Sequence, residues 1–264
     1  MTAVTLGEIP AGRYGFGHVV RAELTKIRTL RSTFWTLLVT AVGTLAVTVL
    51  STQSAGGHNH AWYQGFDPTN QALAGLALGA LAIGVFGVLS VTGEYATGTI
   101  RSSLSAVPRR PALVMGKVLV VGAIALAVGE VLIFAAFWIG QAVLAHGGAP
   151  SAHLGQPGVL RAVVLSGAFL ALLGLLGLGL GVIIRHTAGA IAAYVGITFL
   201  LPLLLQRVSG TPSRYTPVGI LANSVSAVVR QPQQVSAPVG FLLMVLYCAV
   251  LLGLGTALIV RRDA

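Results

Sequence analysis

The chain has 264 residues, of which 55% are hydrophobic and only 8% are charged, whereas a soluble domain carries about 25% charged residues. Its formal net charge is +10, but the basic residues are scattered at the ends of apolar runs, which is typical of membrane topology and argues against nucleic-acid binding. Six spans of about 20 residues with their loops fill this length, so we expect an all-α polytopic membrane protein without a soluble catalytic domain.

Residues 1–33 are predicted to form a cytoplasmic tail that leads into a basic amphipathic helix. Val20, Leu24 and Ile27 fall near helical spacing on one face. The basic residues of this helix spread over the other faces: Arg21, Lys26, Arg28 and Arg31. Such a helix can lie in the headgroup layer with its bases toward anionic lipid. The alternative is a short helix whose charges only set the topology.

Residues 34–264 are predicted to form one transmembrane domain. Its spans are expected at about 34–50, 71–92, 118–144, 161–184, 189–205 and 239–260. Glycines recur in the second and fourth spans at spacings that favour close helix packing, either within the chain or across a dimer interface. The segment 217–229 is mildly apolar but too short to span. We expect it to form one or two short helices that dip into the outer leaflet before the last span.

The basic residues also predict the orientation of the chain. Of the sixteen Lys and Arg residues, twelve fall on the side assigned to the cytoplasm and four on the other side. Short loops rich in Lys and Arg stay in the cytoplasm. We therefore expect a protein of the plasma membrane with both termini on the cytoplasmic side. The abundance of Ala, Gly, Val and Arg with few Lys indicates a bacterium of high GC content.

A polar, basic island separates the second and third spans, from Gly93 to Lys117. No proline interrupts the stretch Glu94–Leu104, so a short helix is predicted there, with Gly98 as its weak point. Prolines on either side of the Arg109-Arg110 pair are expected to stop any helix. This island is either a rigid knob for a cytosolic partner or a solvated loop that only sets topology.

The island carries the run Glu94-Tyr95-Ala96-Thr97-Gly98-Thr99-Ile100-Arg101, then Leu104, Pro108-Arg109 and Gly116-Lys117. This pattern resembles the cytoplasmic loop of ABC-2-type permeases, the membrane subunits of one class of ATP-binding-cassette transporters. In that family the segment is the coupling helix, which fits a groove on the nucleotide-binding subunit, and the helix before the first span is the elbow helix. The resemblance covers nearly the whole chain in layout, but only this loop in residue detail.

The resemblance implies a set of partners and the residues that meet them. Two copies of a cytosolic ATPase would carry ATP and Mg, so no cofactor and no catalytic residue are expected in this chain. The docking residues implied are Glu94, Tyr95, Thr97, Gly98, Thr99, Arg101, Leu104, Pro108 and Arg109, with Arg21, Lys26 and Arg28 on the elbow helix. A second permease copy, identical or paralogous, and membrane lipids are the other expected partners.

The function implied is export of a hydrophobic or amphipathic compound, such as a drug, antibiotic, peptide or lipid, with antibiotic resistance as one role. The alternative is a non-transporting membrane anchor or sensor for a cytosolic ATPase. The chain has no GxxxxGK(S/T), HExxH or GxSxG motif, so energy is expected to arrive from a separate subunit.

Two polar side chains in the third span are candidates for the transport pathway. Glu130 falls in mid-membrane, where an ionisable group is costly and is paired, protonated or facing a polar cavity. Ser166, Tyr194 and Thr198 are possible partners in a purely structural role. Gln141 lies nearer the outer end of the same span and is also polar, but it is uncharged and therefore less costly to bury. An intramembrane enzyme based on Glu130 lacks a second catalytic group, and the histidines at 58 and 60 are a weak metal pattern without a third ligand.

Overall fold

The computed structural model describes residues 15–29, 31–58, 61–107, 109–208, 210–227 and 235–262. Throughout these ranges the regular structure is helical. Among the described residues, six helices are long and apolar enough to cross a membrane: Thr33–Ser54, Leu76–Thr97, Arg110–His146, Val159–Ile184, Thr187–Arg207 and Ala237–Arg261. The prediction of an all-α polytopic membrane protein with six spans is therefore confirmed.

The helices follow one another in a simple order. They are α1 (Phe16–Thr29), α2 (Arg31–Ser54), α3 (Pro68–Ala72), α4 (Leu76–Thr97), α5 (Thr99–Ala106), α6 (Arg110–His146), α7 (Val159–Ile184), α8 (Thr187–Val195), α9 (Leu201–Val208), α10 (Gly210–Ser213), α11 (Pro217–Val225) and α12 (Ala237–Arg262). A π-helical turn, Gly196–Leu200, joins α8 to α9. The spans are α2, α4, α6, α7, α8 with α9, and α12.

The second and third spans begin at different residues from those expected from the sequence. The second span begins at Leu76 rather than near Gln71, because the preceding residues form the separate helix α3, which the Asp67 side chain caps. The third spanning helix begins at Arg110, well before the expected Val118. A proline in the first turn of a helix costs no hydrogen bond, so Pro111 starts α6 instead of stopping it. Most of the polar island is consequently helical.

The helix α7 lies at the centre of the bundle. Of its spanning segment 78% is buried, against 56% or less for the other five spans. Its glycines meet those of α4: a Cβ at Gly177 would strike the Gly84 carbonyl, and a Cβ at Gly87 would strike that of Gly174. Small residues let two backbones approach this closely. The glycine patterns of both spans thus serve packing within the chain.

The fifth span is irregular but continuous. Pro202 lies inside α9, and the helix continues past it to Val208. The π-helical turn Gly196–Leu200 comes just before it. A proline removes one backbone hydrogen bond and crowds the preceding turn, and a π turn widens the helix at that point. The irregular turn therefore accommodates the proline.

Candidate functional site

Four charged side chains meet at the end of the bundle where α1, α4, α5 and α6 come together. The Lys117 ammonium donates to Glu23 Oε2 at 2.7 Å and to Glu94 Oε1 at 2.6 Å. The Lys26 ammonium donates to Glu23 Oε1 at 2.8 Å, to Glu94 Oε1 at 3.0 Å and to Ser103 Oγ at 3.0 Å. Glu23, Lys26, Glu94 and Lys117 are called the charge cluster below, and Ser103 ties α5 to it.

Most of this charge cluster is withdrawn from solvent. The side chains of Lys117 and Glu23 are 3% and 4% exposed, that of Glu94 is 12% exposed and that of Lys26 is 37% exposed. Two positive and two negative charges balance one another. Ions this deeply buried are tolerated only when they are paired and hydrogen-bonded, so each member depends on the others.

The position of Lys26 alters its ionisation. Burial by itself would lower the pKa of this ammonium, but the hydrogen bonds and negative charges of Glu23 and Glu94 outweigh it, and the pKa is raised above its ordinary value. Lys26 is therefore held in its charged form at neutral pH.

The segment after the charge cluster turns one face inward and one outward. Gly98 has a φ of +72° and separates α4 from α5. Ile100 and Leu104 pack inward with Val107 and Leu113. The Tyr95 ring lies under the Arg185 guanidinium at 5.4 Å. Of the predicted docking residues, those exposed to solvent are Thr97, Gly98, Thr99, Arg101 and Arg109. Pro108 lies outside the described residues.

The basic residues of α1 also fall into a group that faces the bundle and a group that faces outward. Lys26 belongs to the charge cluster, while Arg21 and Arg28 are exposed. Val19 packs so closely on α6 that a Cβ at Gly116 would come within 2.8 Å of it. The helix α1 is thus fastened to α6 by a close apolar contact and by the Lys117–Glu23 ion pair.

Glu130 lies half-buried on α6 beside a glycine of α7. A Cβ at Gly167 would stand 2.5 Å from the Glu130 carboxyl carbon, so a larger residue there would require the Glu130 side chain to move. Ser166 donates to the Ala162 carbonyl at 2.6 Å and Tyr194 to the Ala80 carbonyl at 2.6 Å. These two proposed partners therefore direct their protons elsewhere. Thr198 is also buried.

Gln141 lies about three turns further along α6 and has a different environment. It is 7% exposed, its amide donates to the Pro68 carbonyl at 3.0 Å, and its carbonyl accepts from the Ala152 amide at 2.6 Å. Pro68 begins α3 and Ala152 lies between α6 and α7, both at the end of the bundle away from α5. Gln141 thus joins α6 to α3 and to the segment that precedes α7, and the structure does not bring it together with Glu130.

The described residues hold no group of three His, Cys, Asp or Glu side chains that could bind a metal ion. At the end of the bundle away from α5, the His58 ring stacks on Trp62 with ring centroids 4.1 Å apart, and His60 lies outside the described residues.

A comparison with protein families agrees with this architecture. A family described as "ABC-2 family transporter protein" matches residues 20–264, which is nearly the whole chain. The protein belongs to the ABC-2 family. ABC-2 chains are the membrane component of their transporters and lack the ATPase, which is a separate nucleotide-binding subunit. No curated protein matches the chain.

The charge cluster of this ABC-2 permease was missed by sequence reasoning. Glu94 was predicted to face a partner, whereas its carboxylate binds two lysines of the same chain. Glu23 carried one available signal, because it is the single acidic residue of the amphipathic helix α1. It lies three positions before Lys26, a spacing at which helical side chains meet. No pattern in the residues around Lys117 indicates that it would join Glu23 and Lys26.

Proposed function

We propose that this ABC-2 protein is the permease of an ATP-driven exporter and that α5 is the coupling helix on which the ATPase subunit docks. The observation that carries the proposal is the two-sided character of α5. Arg101 is exposed on its outer side, while Ser103 and Leu104 hold its inner side to the rest of the bundle. A displacement of α5 would consequently reach α1, α4 and α6 together.

The charge cluster supports this role for α5. Lys26 bonds α5 through Ser103 and also bonds Glu94 at the end of α4. Lys117 bonds that same carboxylate from α6. We infer that Glu94 acts inside the permease as a positioning residue, and that the docking contacts themselves come from the exposed set of Thr97, Thr99, Arg101 and Arg109.

The end of the bundle that carries α1 and α5 is proposed to face the cytoplasm of a bacterial cell. The twelve basic residues assigned inside, including the pair at the end of α12, support this orientation under the positive-inside rule. On this topology α1 is the elbow helix. Its exposed Arg21 and Arg28 are available to anionic headgroups or to the ATPase, and α10 and α11 lie at the outer face.

The assembly proposed contains two permeases and two ATPase subunits. The spanning segments of α2 and α12 are only 17% and 22% buried in one chain, which leaves broad apolar faces for lipid and for a second permease copy, identical or paralogous. ATP and Mg would bind to the ATPase pair, whose closure would press on the two α5 helices.

The substrate class proposed is a hydrophobic or amphipathic compound, and efflux of an antibiotic is one such role. Glu130 supports it as a pathway contact. No hydrogen bond or ion pair joins its carboxyl to another of the described residues, and its neighbour Val131 is 72% exposed. An ionisable group left without a protein partner in a membrane span indicates a polar route or ligand.

The docking proposal is tested with Arg101→Ala in the permease purified together with its ATPase. We expect the permease to fold normally, because Arg101 is exposed, and its stimulation of the ATPase to be lost. The matched control is Arg207→Ala, an equally exposed arginine on α9 at the opposite end of the bundle. Equal stimulation by wild type and Arg101→Ala would contradict the docking role of α5.

The transport proposal is tested separately with Glu130→Gln in vesicles. We expect ATPase docking to persist and movement of a cationic amphipathic dye to fall, because the substitution removes the charge and keeps the shape. If wild-type permease stimulates the ATPase but moves no compound, the protein is instead an anchor or sensor for the ATPase.

A further inference from the structure

A cavity of about 500 Å³ opens beside the charge cluster, between α1, α2 and α4. Ile27, Phe86 and Leu89 give it apolar walls. Its lining comes from α1, from the first turns of α2 and from the last turns of α4, at the α5 end of these two candidate spans. The cavity therefore lies at the boundary between acyl chains and headgroups, within reach of a molecule dissolved in that leaflet.

Three hydroxyl groups around this cavity already donate their protons to backbone carbonyls. Ser90 donates its proton to the Gly87 carbonyl at 2.6 Å, and Thr97 donates to the Gly93 carbonyl at 2.9 Å. Thr29 likewise donates to a carbonyl of its own helix, α1. A hydroxyl has one proton and two lone pairs, so these three side chains can offer an occupant only lone pairs.

As a set, the charged groups that line the cavity can likewise accept hydrogen bonds from an occupant but have no free donor to offer. All three N–H bonds of the Lys26 ammonium are taken by Glu23, Glu94 and Ser103. Glu94 also lines the cavity. Its Oε1 accepts from both lysines of the charge cluster, whereas its Oε2 is buried and has no hydrogen-bond partner among the described residues. A buried carboxylate oxygen without a donor is costly.

We propose that this cavity binds the protonated amine of an amphipathic molecule. The ammonium donates to Glu94 Oε2 and to the surrounding hydroxyl oxygens, and the alkyl part lies along the apolar walls. Two sources share this chemistry: a bilayer lipid with an amine headgroup, and an amine-bearing solute that partitions into the leaflet. The site requires no ATP and does not depend on which compound the permease exports, so it goes beyond the proposed function.

The test uses a long-chain alkylamine that carries a photoreactive diazirine. The permease, with its ATPase, is placed in phosphatidylcholine nanodiscs and labelled, and the labelled peptides are identified by mass spectrometry. We expect labelling of the last turns of α4 and of the facing turns of α1 and α2. Labelling spread evenly over the lipid-facing helices would overturn the proposal.

A cavity-filling variant shows whether the label reports this site. Gly93 lines the cavity, and a Cβ there would meet no atom within 4 Å, so Gly93→Leu is chosen to fill the space with a side chain whose first carbon has room. Gly253→Leu on α12, where a Cβ also meets nothing within 4 Å, is the matched control. We expect labelling at α4 to fall about tenfold in Gly93→Leu and to stay unchanged in the control. Equal labelling of both variants would overturn the proposal.

The charge requirement is tested with matched probes. The amine probe is compared with an alcohol and a carboxylate of the same length, in wild type and in Glu94→Gln. Loss of one charge-assisted hydrogen bond predicts about tenfold weaker labelling by the amine in Glu94→Gln and little change for the alcohol. If alcohol and carboxylate label the wild-type cavity as well as the amine does, the site does not recognise an amine.

Competition then identifies the source of the amine. Suppression by phosphatidylethanolamine in the nanodisc assigns the site to a lipid, and suppression by a soluble cationic amphiphile alone assigns it to a solute. Either result supports the proposal, whereas labelling that neither competitor suppresses would overturn it.

Discussion

The Lys117 ammonium on α6 lies 2.6 Å from Glu94 Oε1 at the end of α4. The two residues are 23 positions apart, and α5 lies between them in the chain. Their ion pair therefore holds the end of α4 against the start of α6, on either side of α5 in the chain. Because Lys117 also bonds Glu23 on α1, three helices are tied together at one buried ammonium, directly behind the surface proposed for ATPase docking.

Replacement of Lys117 should be more damaging than replacement of Lys26. Lys117→Met leaves two buried carboxylates with one partly exposed lysine, and breaking a buried ion pair costs about 3–5 kcal/mol. Lys26→Met keeps both carboxylates on Lys117 and removes a side chain that is 37% exposed, so its cost is smaller. Thermal unfolding in nanodiscs measures both, and equal losses of stability would contradict the central role of Lys117.

The contribution of Lys26 should disappear only in strong alkali. Its pKa in the folded protein is raised above the ordinary 10.5. The stabilisation is therefore complete below the unfolded value, about 10.4, and is lost as the pH rises through the higher folded value. We expect the difference in unfolding temperature between wild type and Lys26→Met to be constant from about pH 7 to 9 and to shrink above about pH 10.5. A difference that shrinks already near pH 8 would show that another group is responsible.

A methyl group added at Gly84 should displace a buried tyrosine. The Tyr194 ring occupies the place where a Cβ at Gly84 would stand, and its hydroxyl donates to the Ala80 carbonyl at 2.6 Å. We expect Gly84→Ala to destabilise the permease by about 1–3 kcal/mol, the usual range for overpacking. The control Gly253→Ala has open space around the new Cβ and should be neutral or slightly stabilising. Thermal unfolding of the two variants gives the comparison.

Gln141 is expected to act in stability rather than in substrate selection. Gln141→Leu removes the bonds to the Pro68 carbonyl and the Ala152 amide, and each buried group left without a partner costs about 1–3 kcal/mol. Unfolding should therefore occur at a lower temperature, with the relative rates of export of different compounds unchanged. The exposed Gln53 provides the control substitution Gln53→Leu. A change in substrate preference without a loss of stability would place Gln141 on the pathway.

Only the structure shows that Glu94 and Arg101, in the same polar island, have different environments. From residues alone, Glu94 and Arg101 look equivalent, since both are charged side chains in the same polar island. In the fold, Glu94 points at two lysines and Arg101 is exposed. The difference arises because α4 continues as a helix to Thr97 before the chain turns at Gly98. That extension keeps Glu94 on the face that meets α1 and α6.

The sequence by itself determined the class, the family and the number of spans of this protein. Long apolar runs that are nearly free of charge can bury their surface only in a membrane. The length and apolarity of a run depend only on residues that are neighbours in the chain, so the sequence shows them directly. Only the tertiary structure decided which side chains meet. Glu23 and Lys117 are 94 positions apart, and their contact depends on how α1 packs on α6. The cavity beside them is likewise formed jointly by α1, α2 and α4, and no local pattern records such a space.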